Sequence, residues 1–341
     1  MASEPSKKLK SSAGRRRKFR PSSVGPSFEL RFNRASSRFA CCGRSVIVWD
    51  LEPRSKLEKI HPFKHPSHIE WSPDGHQLAI KSTSGDLVLV MLGSASEATW
   101  LRRRGGEGAE VAFSACGNYL VDCSWSGQVD VFDIRANEIV HTERIPNASI
   151  ISLAYDRDRA RFAYVVSPRA TSPNRPGAPD YLALRSWPFW QNDPVVLPVD
   201  AQDVEAIAFS PDGSHLVMAV SDLGKSGSRV QIRTLNSDAV VAEASYSFYA
   251  SGKSITWCSG SDVIANVEQG GVRFYDSSLR RALAFLPVEY PSHVEFSPCG
   301  THVGVGAWGK GFVCSVEEAL ATESAPLSPS LALDAGVSER P

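Results

Sequence analysis

The 341-residue chain contains no apolar run near the ~20 residues that a membrane-spanning helix requires. Its basic start does not lead into an apolar segment, so no secretory signal peptide is expected. None of the seven cysteines stands in a Cys-x-x-Cys pair, which removes the common structural zinc spacing. Their odd count and irregular spacing do not read as a disulfide framework, and free thiols in a reducing compartment are expected. A Gly-Lys-Ser/Thr phosphate loop, a Gly-x-Ser-x-Gly nucleophile turn and a His-Glu-x-x-His metal helix are all missing. No cofactor and no metal site are expected. Helical patterning is scarce before Glu317.

What is present is a repeat. A short strand ends in an aromatic residue. A turn of Ser-Pro-Asp-Gly type follows, then an apolar strand, a Gly-containing turn and a second apolar strand. The clearest copies run over 68–92, 110–134, 204–235 and 292–316, with weaker ones starting at Glu29, Ile151 and Ser254. The anchoring aromatics are Phe32, Trp71, Phe113, Tyr155, Phe209, Trp257 and Phe296, separated by 39, 42, 42, 54, 48 and 39 residues. Alternation puts Ile69 with Trp71 and Val111 with Phe113 on one strand face. Pro-Asp-Gly supplies the fixed φ and the permissive glycine of a tight reversal. A small sheet cannot hide both faces alone; sheets stacked radially hide them and leave only short edges. The two long intervals come from 167–180 and 221–228, which read as loops between the second and third strands of their units. The expected fold is all-β: a seven-bladed β-propeller of four-stranded antiparallel blades over 27–316. A basic, disordered tail over 1–26 would precede it. A C-terminal tail over 317–341 would follow, with 326–333 able to supply an outer strand.

The units resemble the WD-repeat family. Trp49-Asp50 closes a third strand, and Phe132-Asp133 and Tyr275-Asp276 hold the same place. The aromatic-Ser-Pro-Asp-Gly turn stands at 71–75 and 209–213, and in altered form at 296–300. The Gly-His pair frequent in that family is missing. The resemblance therefore implies stability from aromatic and aliphatic packing between blades more than from a buried polar network. It also implies an intracellular interaction scaffold.

Candidate sites follow from phase. The residue before each aromatic would line the central channel; it is small in four units but Arg31, Glu70 and Glu295 in three that ring closure makes neighbours. Arg31 would then sit between two carboxylates, as a structural ion cluster. Two residues earlier stand Glu29, His68, Glu110 and His293, which read as solvated lining or a partner contact at the channel mouth, with ligands for zinc or another divalent ion as the less expected alternative. Arg169, Arg175, Lys225 and Arg229 make the two long loops a basic rim, and loops on a rigid scaffold are where binding residues gather. Phe189 and Trp190 are further partner-binding candidates, whereas Trp187 reads as packing between blades.

Charge is balanced overall but unevenly placed. Residues 1–20 hold Lys7, Lys8, Lys10, Arg15, Arg16, Arg17, Lys18 and Arg20 against Glu4 alone, a surplus of seven that the rest of the chain offsets. Such a run reads as nuclear targeting, nucleic-acid contact or a solubilising tail. The reading as a whole is a non-catalytic scaffold of the cytoplasm that binds proteins or peptides in a multiprotein complex and touches no membrane. One alternative is a nucleic-acid-associated factor using the tail. Another is a propeller lactonase or hydrolase with a metal at the channel mouth.

Overall fold

The structure is a computed structural model. It describes residues 22–93, 97–108, 110–169, 178–188, 191–199, 202–222, 227–237, 239–246 and 254–322. Strand β1 (Ser22–Ser27) comes first in the chain but belongs to the last blade. The first blade is β2–β5 (Glu29–Phe32, Arg38–Cys42, Val46–Asp50, Ser55–Ile60), and the second is β6–β9 (Pro66–Trp71, Gln77–Ser82, Leu87–Met91, Ala98–Arg102). The third is β10–β13 (Val111–Phe113, Tyr119–Cys123, Gln128–Asp133, Glu138–Arg144), and the fourth is β14–β17 (Ala148–Asp156, Arg161–Pro168, Tyr181–Ser186, Val195–Pro198). The fifth is β18–β21 (Gln202–Phe209, His215–Asp222, Ser228–Thr234, Val240–Tyr246), and the sixth is β22–β25 (Ile255–Trp257, Val263–Glu268, Gly271–Asp276, Ala282–Pro287). The seventh holds β26 (Pro291–Phe296), β27 (His302–Ser315) and β1. Each of the first six blades is a four-stranded antiparallel meander, the seventh is antiparallel with β1 added from the other end of the chain, and the molecule is a seven-bladed β-propeller.

The repeat phase survives folding. Each of the seven aromatics lies at or next to the end of an innermost strand, and Trp49, Phe132 and Tyr275 stand one residue from the ends of β4, β12 and β24. Buried apolar side chains fall into seven clusters, one for each contact between neighbouring blades. Ala40, Val48, Trp71 and Leu78 join the first blade to the second, and Val24, Phe32, Phe39 and Val313 join the seventh to the first. Trp71 also donates its indole N–H to the carbonyl of Arg31 across a blade boundary, at 2.9 Å. Trp187 packs its ring on Tyr119 and Phe162, 5.1 and 6.1 Å between centroids, and so sits between the third and fourth blades.

One expectation needs correction. The strand that closes the ring is N-terminal: Ser22 pairs with Val313 and Ser23 with Phe312, while Val303 to Ala307 of the same long β27 pair with β26. The two arms of β27 thereby fill two places, and β1 takes the outer edge that 326–333 was expected to supply. Those residues lie outside the described ones, and the propeller begins at Ser22 instead of residue 27. The chain leaves the ring through a short helix, α1 (Val316–Leu320), whose N-cap Ser315 forms a capping box with Glu318.

Buried polar groups stand beside the apolar clusters. Lys81 is wholly buried; its ammonium lies 2.7 Å from Asp122 and donates to the carbonyls of Gly108 and Cys123 at 2.6 Å each. Arg102 joins Asp122 to Asp130, and Thr142 donates to Asp130 at 2.7 Å. In the sixth blade Glu268 accepts from Tyr275 at 2.6 Å and Arg273 at 2.8 Å. Polar networks thus share the interior with the aromatic and aliphatic packing, at positions the family's missing Gly-His pair did not point to.

Candidate functional site

Innermost strands of all seven blades surround a channel with a cavity of about 260 Å³. Its two sides differ chemically. Ala112, Ala154, Ala206 and Ala208, with Ser152 and Thr256, make one wall small and nearly neutral. Arg31, Glu70, Glu110, His293 and Glu295 make the other wall charged. Most of the asymmetry comes from one strand position, whose occupant is short in the third to sixth blades and long and ionisable in the seventh, first and second; Glu110 and His293, two residues earlier in their units, add to it.

Arg31 does not pair as expected. Its guanidinium lies 2.9 Å from Glu29 on its own strand and 3.4 Å from Glu110 of the third blade, reaching over the second. Glu70 is instead bound by Arg157, which projects from the turn after β14 and was not foreseen because turn residues carry no periodicity. Among the described residues Glu295 has no ion pair within reach, although the field of Arg31 acts on it. The three cluster residues therefore face one channel without forming one bridge.

Glu29 is the best satisfied of the group. It accepts from the backbone N–H of Ile69 at 3.2 Å and lies 3.4 Å from His68 Nδ1. Burial alone would raise its carboxyl, but Arg31 and the His68 hydrogen bond outweigh burial and hold it at about 2. Burial, with Glu29 adding to it, raises Glu110 against the pull of Arg31. Glu110 also accepts from the N–H of Leu153 at 3.2 Å. Burial and the repulsion of Arg31 push His293 down to about 3, so it is neutral at pH 7. Burial, which Arg31 only partly opposes and Glu70 reinforces, pushes Glu295 up to about 8. His293 Nδ1 and Glu295 Oε2 are buried without a hydrogen-bond partner. Such atoms are costly to leave unmet in a folded protein. Among the described residues no group of three or more His, Cys, Asp or Glu is arranged to hold a metal ion.

The loops that enter the blades and those between second and third strands share one face. Backbone bonds tie them together: Thr83 N–H to His65 O, Trp125 N–H to Glu107 O and Trp308 N–H to Tyr290 O, at 3.0, 2.8 and 3.1 Å. On this face Arg169 donates to Ser149 Oγ at 3.1 Å and to the carbonyl of Trp125. Arg229 lies 3.9 Å from Glu243. Arg175, Lys225, Phe189 and Trp190 lie outside the described residues, as do Lys7, Lys8, Lys10, Arg15, Arg16, Arg17 and Lys18 of the tail. The face has aromatics that the repeat did not single out: Trp125, Tyr290 and Trp308 are 48%, 60% and 58% exposed. Trp308 stacks on Phe28 at 5.2 Å. On the opposite face a groove of about 720 Å³ opens between the fifth and sixth blades around Asp212, Trp257 and Asp262.

All seven cysteines are free thiols, with Cys116 and Cys299 exposed. No helix among the described residues is long and apolar enough to cross a membrane.

The fold and channel define a seven-bladed propeller with a one-sided charged bore. No family model matches the chain. A segment is 27% identical over 108 residues to Protein NEDD1 of Bos taurus, covering 30% of this chain and 16% of that protein. Among solved structures a chain of the Kuenenia stuttgartiensis hydrazine synthase superposes with a TM-score of 0.66. That match covers 85% of this chain and 95% of the other at 13% identity, a likeness of fold alone.

Proposed function

We propose that the protein is a non-catalytic interaction scaffold of WD-repeat type that holds partner proteins or peptides on its loop-rich face. The observation that carries this reading is the set of exposed rings, Trp125, Tyr290 and Trp308, on one face of a rigid ring. Large aromatics left in solvent on a fixed framework are the side chains that most often dominate binding energy. Loops already held by backbone bonds lose little conformational entropy on binding. The Trp49-Asp50 end, the Ser-Pro-Asp-Gly turns and the partial similarity to Protein NEDD1 support the WD-repeat kinship. The cytoplasm is the proposed compartment, with the basic tail available as a nuclear address.

The test is quantitative affinity capture with intact protein and with a Trp125→Ala/Trp308→Ala double variant. The variant should keep its melting temperature within a few degrees, because about half of each ring is already in solvent, and lose stoichiometric partners by tenfold or more. Equal recovery of every partner would remove the aromatic face from the reading.

A further inference from the structure

We infer that the channel receives the guanidinium of an arginine side chain from a bound partner, seated between Glu295 and His293. The inference rests on the scaffold reading and names what one partner residue does there.

Three observations lead to it. First, the charged wall has more carboxyl groups than cations. Glu70, Glu110 and Glu295 line the bore, with Glu29 buried beside Arg31, against the cations Arg31 and Arg157. Arg31 is committed to Glu29 and Glu110, and Arg157 to Glu70. Glu295 is the carboxyl left over.

Second, the two atoms without partners stand on the same strand, β26, and both line the cavity. His293 is nine-tenths buried, at 7% exposure. A neutral imidazole offers one ring nitrogen as an acceptor, and a carboxylate offers only acceptors. A guanidinium brings five N–H donors in a planar fork and no acceptor, so it can meet both atoms at once while its remaining N–H groups face the open part of the bore.

Third, the bore has room and an entrance. About 260 Å³ is open beside the alanine wall, and Arg31, His68 and Glu110 keep 19%, 25% and 29% of their side chains in solvent. Successive residues of a strand rise ~3.3 Å, so Glu295 lies ~7 Å below His293 as seen from the loop-rich face. Tyr290, at the head of the same strand, is among the exposed aromatics of that face. A peptide resting on the rim could therefore send one long side chain down to Glu295.

The charge state of Glu295 gives the idea a signature. The groups acting on it are Arg31 and Glu29 from β2, Glu70 from β6 and Arg157 from the turn after β14; His293 stands two residues earlier on its own strand. With its carboxyl pushed up to about 8, Glu295 is mostly protonated at pH 7. A guanidinium favours the ionised form, so binding should release a proton and should tighten as pH rises from 6.5 toward 8. His293 titrates at about 3 and is silent in that window.

The experiment is titration calorimetry of the purified full chain with acetyl-Ala-Arg-Ala-amide and with its citrulline counterpart, which keeps the shape and loses the charge. The arginine peptide should bind saturably at one site, release protons at pH 7 and bind more tightly at pH 8 than at pH 6.5. The citrulline peptide should bind at least ~10-fold more weakly, the scale of a charge-assisted hydrogen bond. Glu295→Gln should cause a comparable loss. If Glu295→Gln does not fold, Ala208→Leu fills the bore from the neutral wall and should abolish binding. Equal affinity for the two peptides, absence of saturable binding at millimolar peptide, or full affinity in folded Glu295→Gln or Ala208→Leu would each overturn the inference. The scaffold reading fails separately. If the tripeptide does not bind while Trp125→Ala/Trp308→Ala still loses its partners, the face stands and the channel site falls.

Discussion

At the scale of single residues, the most consequential side chain outside the channel is Lys81. It reads in the sequence as one polar position in an apolar strand, and such a lysine ordinarily points to solvent. Here it is wholly buried, and its ammonium meets Asp122 and two carbonyls between the second and third blades. Lys81→Met keeps much of the stem volume and removes the charge. Asp122 then retains Arg102 alone, and the carbonyls of Gly108 and Cys123 lose their donor. Breaking a buried pair by deleting one partner costs about 3–5 kcal/mol. A urea titration should show the midpoint falling accordingly. Arg38→Ala, which removes a half-exposed partner 3.3 Å from Asp50, should cost less than about 1 kcal/mol. Equal midpoints for the two variants would mean that the buried network contributes nothing beyond a surface pair. The same contrast explains why side-chain partners were poorly legible. Strand phase gave the channel positions of Arg31, Glu70 and Glu295, but whether each pairs depends on neighbours such as Arg157 that no period places.

At the scale of elements, ring closure rests on β1. Its sequence, Ser-Ser-Val-Gly-Pro-Ser, supplies one large apolar side chain, Val24, which joins Leu30, Phe32, Phe39 and Val313 in the cluster between the seventh and first blades. Otherwise it is held through the backbone, by pairing with β27. Arg54 fastens the same edge by donating to the carbonyl of Val313 at 3.1 Å. Deleting residues 1–27 would uncover the β27 edge and empty the place of Val24. It should cost at least ~2 kcal/mol from that side chain alone, lower the melting temperature and produce oligomers in size-exclusion chromatography. Deleting 1–21 leaves β1 intact and should leave the melt nearly unchanged. Identical behaviour of the two truncations would show that the ring closes without β1. The seven inner aromatics were legible because each must be buried in phase with its neighbours, and burial writes itself into residue type. A strand recruited by backbone hydrogen bonds leaves almost no such mark, which is why β1 was passed over in favour of the more apolar 326–333.

At the scale of the whole molecule, the distribution of charge separates two uses of the protein. Residues 1–20 carry a surplus of seven positive charges and the remainder an equal negative surplus. A polyanion such as duplex DNA is attracted by the first and repelled by the second. The bore does not reverse this, since its cations are already committed to Glu29, Glu70 and Glu110. Duplex binding by the full chain should therefore depend on the tail alone. Each phosphate neutralised contributes a slope of about −0.9 in the logarithmic dependence of affinity on salt, so eight basic residues limit the slope to about −7. Fluorescence anisotropy of a labelled duplex between 50 and 200 mM salt should show this steep decline for the full chain and no binding once residues 1–20 are removed. Partners held by the aromatic face should survive the same truncation, because burial of rings is far less sensitive to salt than phosphate contact. A truncated chain that keeps its affinity for DNA would place a nucleic-acid surface on the ring itself, where the arrangement of carboxylates gives no reason to expect one.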